Sequence, residues 1–221
     1  MAIRTVSDYF TPADLDRIRE AVRVVELKTS AEIVPFIIEK SDDYEEALWR
    51  GMLAGSLALT FFVFLNVMTA PWLPFNMIVV VLMVLVAGGT AMLTVRNVPS
   101  LRRLVAGKEL IELRVAQRAK EAFLAEEIFA TRDRTGILLF ISLLEHRVVV
   151  LGDSGINKVL HESDWASVVE AVTAGLRSGR PVNGVVEALQ QMARLLEERG
   201  FARRSDDVNE LPDPPRRKEN K

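Results

Sequence analysis

The sequence predicts an α/β protein: a short mixed sheet with helices on its faces, interrupted after its first strand by a hairpin of apolar helices. Three observations carry this prediction. From Gly51 to Val95 the chain has no Asp, Glu, Lys, Arg or His. Strand-like runs, Glu32–Ile38 and Gly136–Leu144, stand on either side of that stretch. Polar segments with apolar residues at helical spacing surround both runs.

The apolar stretch is too long for one span, and Pro71-Trp72-Leu73-Pro74 divides it. The two segments, 51–70 and 75–95, each approach the roughly 20 residues that cross a hydrocarbon core. A four-residue connection makes them a hairpin. Lys40 and Arg50 precede the first span, and Arg96, Arg102, Arg103 and Lys108 follow the second, whereas the turn has no cation. Lys and Arg near span ends mark the cytoplasmic side. The expectation is a two-pass protein of the plasma (inner) membrane with both termini cytoplasmic, its cations also positioned to meet anionic lipid headgroups. The first residues lack the apolar core of a signal peptide. Gly51-Met-Leu-Ala-Gly55 permits close helix approach. It serves either packing within the hairpin or a homodimer contact through Gly51 and Gly55.

Outside the spans, Thr11-Pro12-Ala13-Asp14 opens a helix, with Thr11 as N-cap and Pro12 in its first turn. Leu15, Ile18, Val22 and Val25 recur along one face of it. In Glu32–Ile38, Pro35 suggests an edge strand or a bulge. Residues 42–50 read as a polar helix running into the first span, and 101–130 as one long charged helix. Gly136–Leu144 is a continuous apolar run, as in a strand covered on both faces. Arg147–Leu151 returns as its hairpin partner, and Gly152-Asp-Ser-Gly155 turns the chain. Two amphipathic helices follow, capped by Ser163 or Asp164 and by Asn183. The expected organisation is 1–48 and 98–202 as two parts of one domain, 49–97 as the hairpin, and 203–221 as a disordered tail.

The chain has no cysteine, which excludes disulfides, thiolate nucleophiles and Cys-ligated metals. A net charge of -2 gives no footprint for nucleic acid. Gly152-Asp-Ser-Gly155 spells a protease motif, but nothing in the sequence forms the double β-barrel that would bring His146 or His161 to Ser154. No Walker-type glycine loop or Asp-x-Asp nucleophile pair occurs. Hydrolytic chemistry would therefore rest on carboxylates. Asp153, at a strand end, is the candidate catalytic residue, and Asp153, Asp133, Glu32 and Glu145 are the candidate ligands of Ca²⁺ or Mg²⁺. The competing reading is that Asp153 bonds turn amides. His146 reads as a polar turn residue, and Arg147 as a cross-strand partner of Glu145 or an anion contact. No cofactor is required.

Thr29-Ser-Ala-Glu-Ile33, Arg134-Thr-Gly-Ile-Leu-Leu-Phe-Ile-Ser142, Glu145-His-Arg-Val148 and Leu151-Gly-Asp-Ser-Gly-Ile156 occur in this order. Trp165, the two closing helices and Asp206–Asp213 follow. The set resembles the TPM-domain family, named after thylakoid-lumen, photosystem-II-repair and acetylcholine-receptor auxiliary proteins. It is most similar to the bacterial branch, in which a transmembrane hairpin follows the first strand. The resemblance implies a Rossmann-like α/β/α sandwich. It also implies a range of roles: acid phosphatase activity in some relatives, calcium binding in others, and assembly, repair or auxiliary functions in the rest. Bacterial members accompany LemA-type membrane proteins, which makes such a protein the implied partner. The expected function is a membrane-anchored, cytoplasm-facing domain acting through protein contacts in envelope maintenance or complex assembly. The alternative is a metal-dependent, acid-phosphatase-like hydrolase.

Overall fold

Four strands form one mixed sheet in the order β3-β2-β1-β4: β1 Glu32–Ile38, β2 Gly136–Ser142, β3 Arg147–Gly152 and β4 Arg216–Lys218. The computed structural model describes residues 5–69, 76–203, 210–211 and 214–218. The turn expected at Pro71–Pro74 and most of the expected tail lie outside them. Strand β1 runs parallel to β2, from Glu32↔Gly136 to Ile38↔Ser142, and parallel to β4 from Phe36↔Arg216. Strands β2 and β3 form the expected antiparallel hairpin. Every residue of β1 and β2 is buried, as their unbroken apolar runs require. The Phe36 and Phe140 rings stack with centroids 5.8 Å apart on the face opposite Ile37 and Ile141.

Pro35 is therefore not in an edge strand, and the reason is local. The Glu32 N–H donates to the Thr135 carbonyl (3.3 Å), and the Leu143 N–H to the Ile38 carbonyl (3.0 Å). The alternation of a parallel ladder then turns residues 32, 34, 36 and 38 toward β2, and 33, 35 and 37 away. On that second flank Glu26 Oε1 accepts the Ile33 N–H (3.0 Å), and β4 pairing starts only at Phe36. Pro35 sits where no ladder donor is called for. Strand β4 itself corrects the disorder expected across the tail, since Arg216–Lys218 are ordered against β1.

Helix α1 spans Val6–Tyr9 and α2 spans Pro12–Glu26. Thr11 Oγ1 accepts the Asp14 N–H (3.2 Å) while Asp14 Oδ2 accepts the Thr11 N–H (3.0 Å), a reciprocal cap. The Thr11 hydroxyl, which donates to Asp14 Oδ2 (2.8 Å), and then the Thr11 N–H hold the Asp14 pKa below its ordinary value. Helix α3 is Glu45–Thr69 and α4 is Met77–Asn97, followed by α5 Pro99–Ala106 and α6 Lys108–Ala125. The single helix expected over 101–130 is thus broken at Gly107, whose φ of 82° lies in the left-handed region. After the short α7, Ser154–Asn157, a 3-10 turn at Glu162–Trp165 leads into α8, Ala166–Arg177, and then α9, Pro181–Glu198. The caps differ from those expected. Asp164 Oδ2 accepts the His161 N–H (2.8 Å) one turn before α8, and Asn183 lies inside the first turn of α9 behind Pro181. The His161 bond, followed by the charge of Arg199, lowers the Asp164 pKa. Helices α2, α8 and α9 cover one sheet face, with Ile18, Val22, Val168, Val172, Leu189 and Met192 fully buried against it. The result is an α/β/α sandwich with a short mixed sheet.

The described chain divides into two compact units, Asp42–Glu112 and the remainder. In the first, α3 and α4 pack as an antiparallel pair, and both are long and apolar enough to cross a membrane. A Cβ at Gly51 would lie 2.6 Å from Val95 Cγ2, and one at Gly55 2.6 Å from Ala91 Cβ. Both glycines of the GxxxG thus face α4 of the same chain. Thr60, Asn66, Thr69 and Thr94 each donate to a carbonyl four residues back, which satisfies their polar groups inside the helix. Two flanking cations also do structural work: Arg50 donates to the Val105 and Ala106 carbonyls at the end of α5, and Arg102 to the Arg96 carbonyl.

Gly136 opens β2 against a neighbouring backbone: a Cβ there would overlap the Ile128 carbonyl oxygen. Gly136→Ala should therefore cost about 1–3 kcal/mol through overpacking. A denaturant midpoint unchanged from the native chain would show that this loop yields without strain.

Candidate functional site

The β1–β2 pairing places the expected site residues at two ends of the sheet. Glu32 opens β1, Asp133 and Arg134 precede β2, and Asp153 follows β3, so these four gather at the amino end of the parallel pair. Glu145 follows β2 and lies at the opposite end, about 20 Å away at ~3.3 Å per strand residue. The four candidate ligands therefore do not converge on one centre. Among the described residues, no group of three or more His, Asp or Glu side chains is placed to hold a metal ion.

At the amino end each carboxylate engages the protein's own backbone or cations. Asp153 is buried and caps α7, accepting the Ser154 N–H on Oδ1 (2.6 Å). Its Oδ2 lies 2.9 Å from Arg134 Nε, an ion pair that is close without being aligned as a hydrogen bond. Arg134 has a φ of 58°, donates to the Phe129 carbonyl (3.1 Å) and lies 5.5 Å from the centroid of the Phe129 ring. The Asp153 N–H donates to the Gly136 carbonyl and the Gly155 N–H to that of Arg134, both at 2.9 Å. Asp133 meets Arg132 at 3.6 Å. Glu32 accepts the N–H groups of Glu210 (3.1 Å) and Leu211 (3.4 Å), and the Glu210 carboxylate accepts the Arg132 N–H (3.0 Å). Glu32 thus guides the segment that leads to β4, and Arg216 of β4 pairs with Glu126 at 2.9 Å.

The other end carries a hydroxyl network that the sequence reading missed. Ser142, the last residue of β2, is fully buried and donates to Glu145 Oε2. Its oxygen lies 2.8 Å from Ser41 Oγ, and Glu145 Oε1 accepts the Ser41 N–H at 2.9 Å. His146, in the turn between β2 and β3, takes a left-handed φ of 51°. Ligands of parallel α/β sheets commonly bind outside the carboxyl ends of the strands, which is this end. The sequence signal was a lone serine closing an apolar strand with a glutamate three residues on. Reading it required the direction of β1 relative to β2.

A family model for the TPM domain, carrying the name TPM phosphatase, matches residues 91–195. The chain carries a TPM domain. The match includes Asp133, Arg134, Ser142, Glu145 and Asp153, and leaves out β1 with Glu32 and Ser41. The NMR structure of the BA42 protein from the psychrophilic bacterium Bizionia argentinensis has the same fold, with a TM-score of 0.59. It is 17% identical, and the similarity covers 96% of this chain and 98% of that one. No curated protein matches the chain. The fold shared with the BA42 protein agrees with the α/β/α sandwich.

Removing Glu145 would leave the buried Ser142 hydroxyl and the Ser41 N–H without their acceptor. Glu145→Ala should destabilise the protein by about 1–3 kcal/mol. Glu145→Gln, which keeps one carbonyl acceptor, should cost less. Equal midpoints for both variants and the native chain would show that the network contributes nothing.

Proposed function

We propose that this protein is a TPM domain anchored by its α3–α4 hairpin in the plasma (inner) membrane, facing the cytoplasm and acting through contacts with a protein partner in envelope maintenance or complex assembly. The observation that carries the binding reading is the engagement of Asp153. One of its oxygens caps α7 and the other meets Arg134, so its carboxylate joins two loops of its own fold. The outward faces of the hairpin, with Leu53, Leu57, Phe61 and Phe62 on α3 and Ile78, Leu82 and Val86 on α4, are exposed and apolar. Such a surface suits lipid. Arg50, Arg96, Arg102 and Arg103 on the flanks support the cytoplasmic orientation, and a LemA-type membrane protein fits as the partner.

The cysteine-free chain makes orientation testable. Lys158→Cys, at an exposed position, should react with a membrane-impermeant thiol reagent in inside-out vesicles and not in intact cells. Labelling in intact cells would put the domain on the other side.

The name of the matched family model favours a second reading, a metal-assisted phosphatase. The two readings separate in one assay of the detergent-purified chain on a phosphomonoester, with and without Mg²⁺ or Ca²⁺. We expect no metal-dependent turnover. Turnover that disappears in Asp153→Asn, a variant that retains a side-chain cap for α7, would establish the enzyme and reject the binding reading.

A further inference from the structure

We infer that β3 is the contact by which two copies of this chain pair, edge to edge about a two-fold axis, forming one continuous sheet with the two α8 helices side by side. Strand β3 ends the sheet, and among the described residues no strand lies beyond it. The Asp153 N–H bonds Gly136, so the antiparallel alternation turns residues 147, 149 and 151 toward β2. The N–H and C=O groups of Val148, Val150 and Gly152 point outward. Asn157 Nδ2 already donates to the Gly152 carbonyl (2.6 Å), which leaves Val148 and Val150 as the pairing positions. A two-fold axis makes two identical edge strands antiparallel. Centred on Val149, it bonds Val148 of one copy to Val150 of the other in both directions.

The surface beside that edge is self-complementary under the same operation. A groove of about 510 Å³ runs between β3 and α8. Arg199 bonds Asp164, and the Phe201 carbonyl accepts the Ser30 N–H just before β1, so α8 begins near the Asp153 end of β3. It therefore ends, at Arg177, near Arg147. Glu162 of the preceding 3-10 turn and Ala166, Val169, Glu170, Thr173 and Arg177 of α8 form the groove stripe. An axis passing between Val169 and Glu170 sets Glu162 opposite Arg177 and Ala166 opposite Thr173 of the second copy. The stripe thus offers unlike charges at its two ends and small side chains between them, where two helices must approach. Glu170 stands beside the axis and meets its own copy there, which opposes association. This specific arrangement selects a second copy over an unrelated extended peptide, to which the end charges would be irrelevant.

The test uses the full chain in detergent. Sedimentation should show a reversible dimer. Glu162→Arg places like charges at both ends and should weaken it about tenfold or more. Arg177→Glu should do the same, and the double reversal Glu162→Arg with Arg177→Glu should restore it. Glu170→Gln should tighten the dimer. Because Val148–Val150 is the hydrogen-bonded pair, Val149 faces its own copy in the closer, non-hydrogen-bonded site, with Cα atoms roughly 4.5 Å apart. Val149→Cys should therefore cross-link to dimer on mild oxidation, whereas Leu57→Cys on the exposed face of α3 should not. A monomeric mass without the Val149 cross-link overturns the proposal. So does a dimer indifferent to the charge reversals, or one cross-linked through Leu57 and not Val149. A monomeric purified chain whose Val149→Cys variant cross-links to a different protein in cells likewise overturns it, in favour of a foreign strand.

Discussion

Parallel pairing of β1 with β2 is the constraint on which the rest of this fold depends. Parallel neighbours cannot be joined by a turn, because the chain leaves one strand at its carboxyl end and must enter the next at its amino end. The 7-residue strands are roughly 20 Å long at about 3.3 Å per residue. Residues 113–125, the part of α6 within the sheet-bearing unit, rise about 20 Å at 1.5 Å per residue, a matching return length. The connection has no upper limit on its length, and loop-closure cost grows only slowly with added residues. A pair of long apolar helices can therefore be placed in this crossover while the ladder from Glu32↔Gly136 to Ile38↔Ser142 stays intact.

The same pairing decides what surrounds each carboxylate. At the amino end, loops arrive at β1 and β2 and depart from β3, so donors from three segments meet there. Glu32 holds the segment before β4, Glu210 holds the loop before β2, and Asp153 holds Arg134 across from α7. At the carboxyl end, Glu145 draws together the loop after β1 and the turn after β2 through Ser41 and Ser142. Buried carboxylates are tolerated because each has N–H or O–H donors, without which burial would cost several kcal/mol. Their placement therefore follows from the need to join loops around the central strands β1 and β2, which carry little polar character of their own.

Much of the fold was legible because its signals are short-ranged. Thr11, Pro12 and Asp14 place a cap, a first-turn proline and a returning acceptor within four residues, and α2 begins there. The unbroken run from Gly136 announced a strand covered on both faces. Features decided by a distant neighbour stayed hidden. Pro35 resembles an edge residue until the side to which its nitrogen points is known, and β4, Arg216–Lys218, has no apolar pattern to mark it as a strand. Gly107 divides two helical patterns that otherwise run on as one. For the site, residue type identified Asp153, Asp133 and Glu32 as carboxylates near strand ends, and their common end of the sheet follows from the register. Glu145 was separated from them by strand direction, and Ser142 read as an interior residue of the Gly136–Leu144 run, whereas β2 ends there.

The chemistry open to Asp153 follows from what it would have to release. To ligate a cation it must turn an oxygen away from the Ser154 N–H, a hydrogen bond to a charged group worth about 1.5–3 kcal/mol, or away from its ion pair with Arg134. Arg134 would then lose its counter-charge while still held by the Phe129 carbonyl and ring. A divalent ion supplied with several oxygens can offset such losses, but Asp133 is turned to Arg132 and Glu32 to the amides of Glu210 and Leu211. Recruiting any of them would loosen the loops they join. The arrangement accordingly favours carboxylates that hold this end of the sheet together.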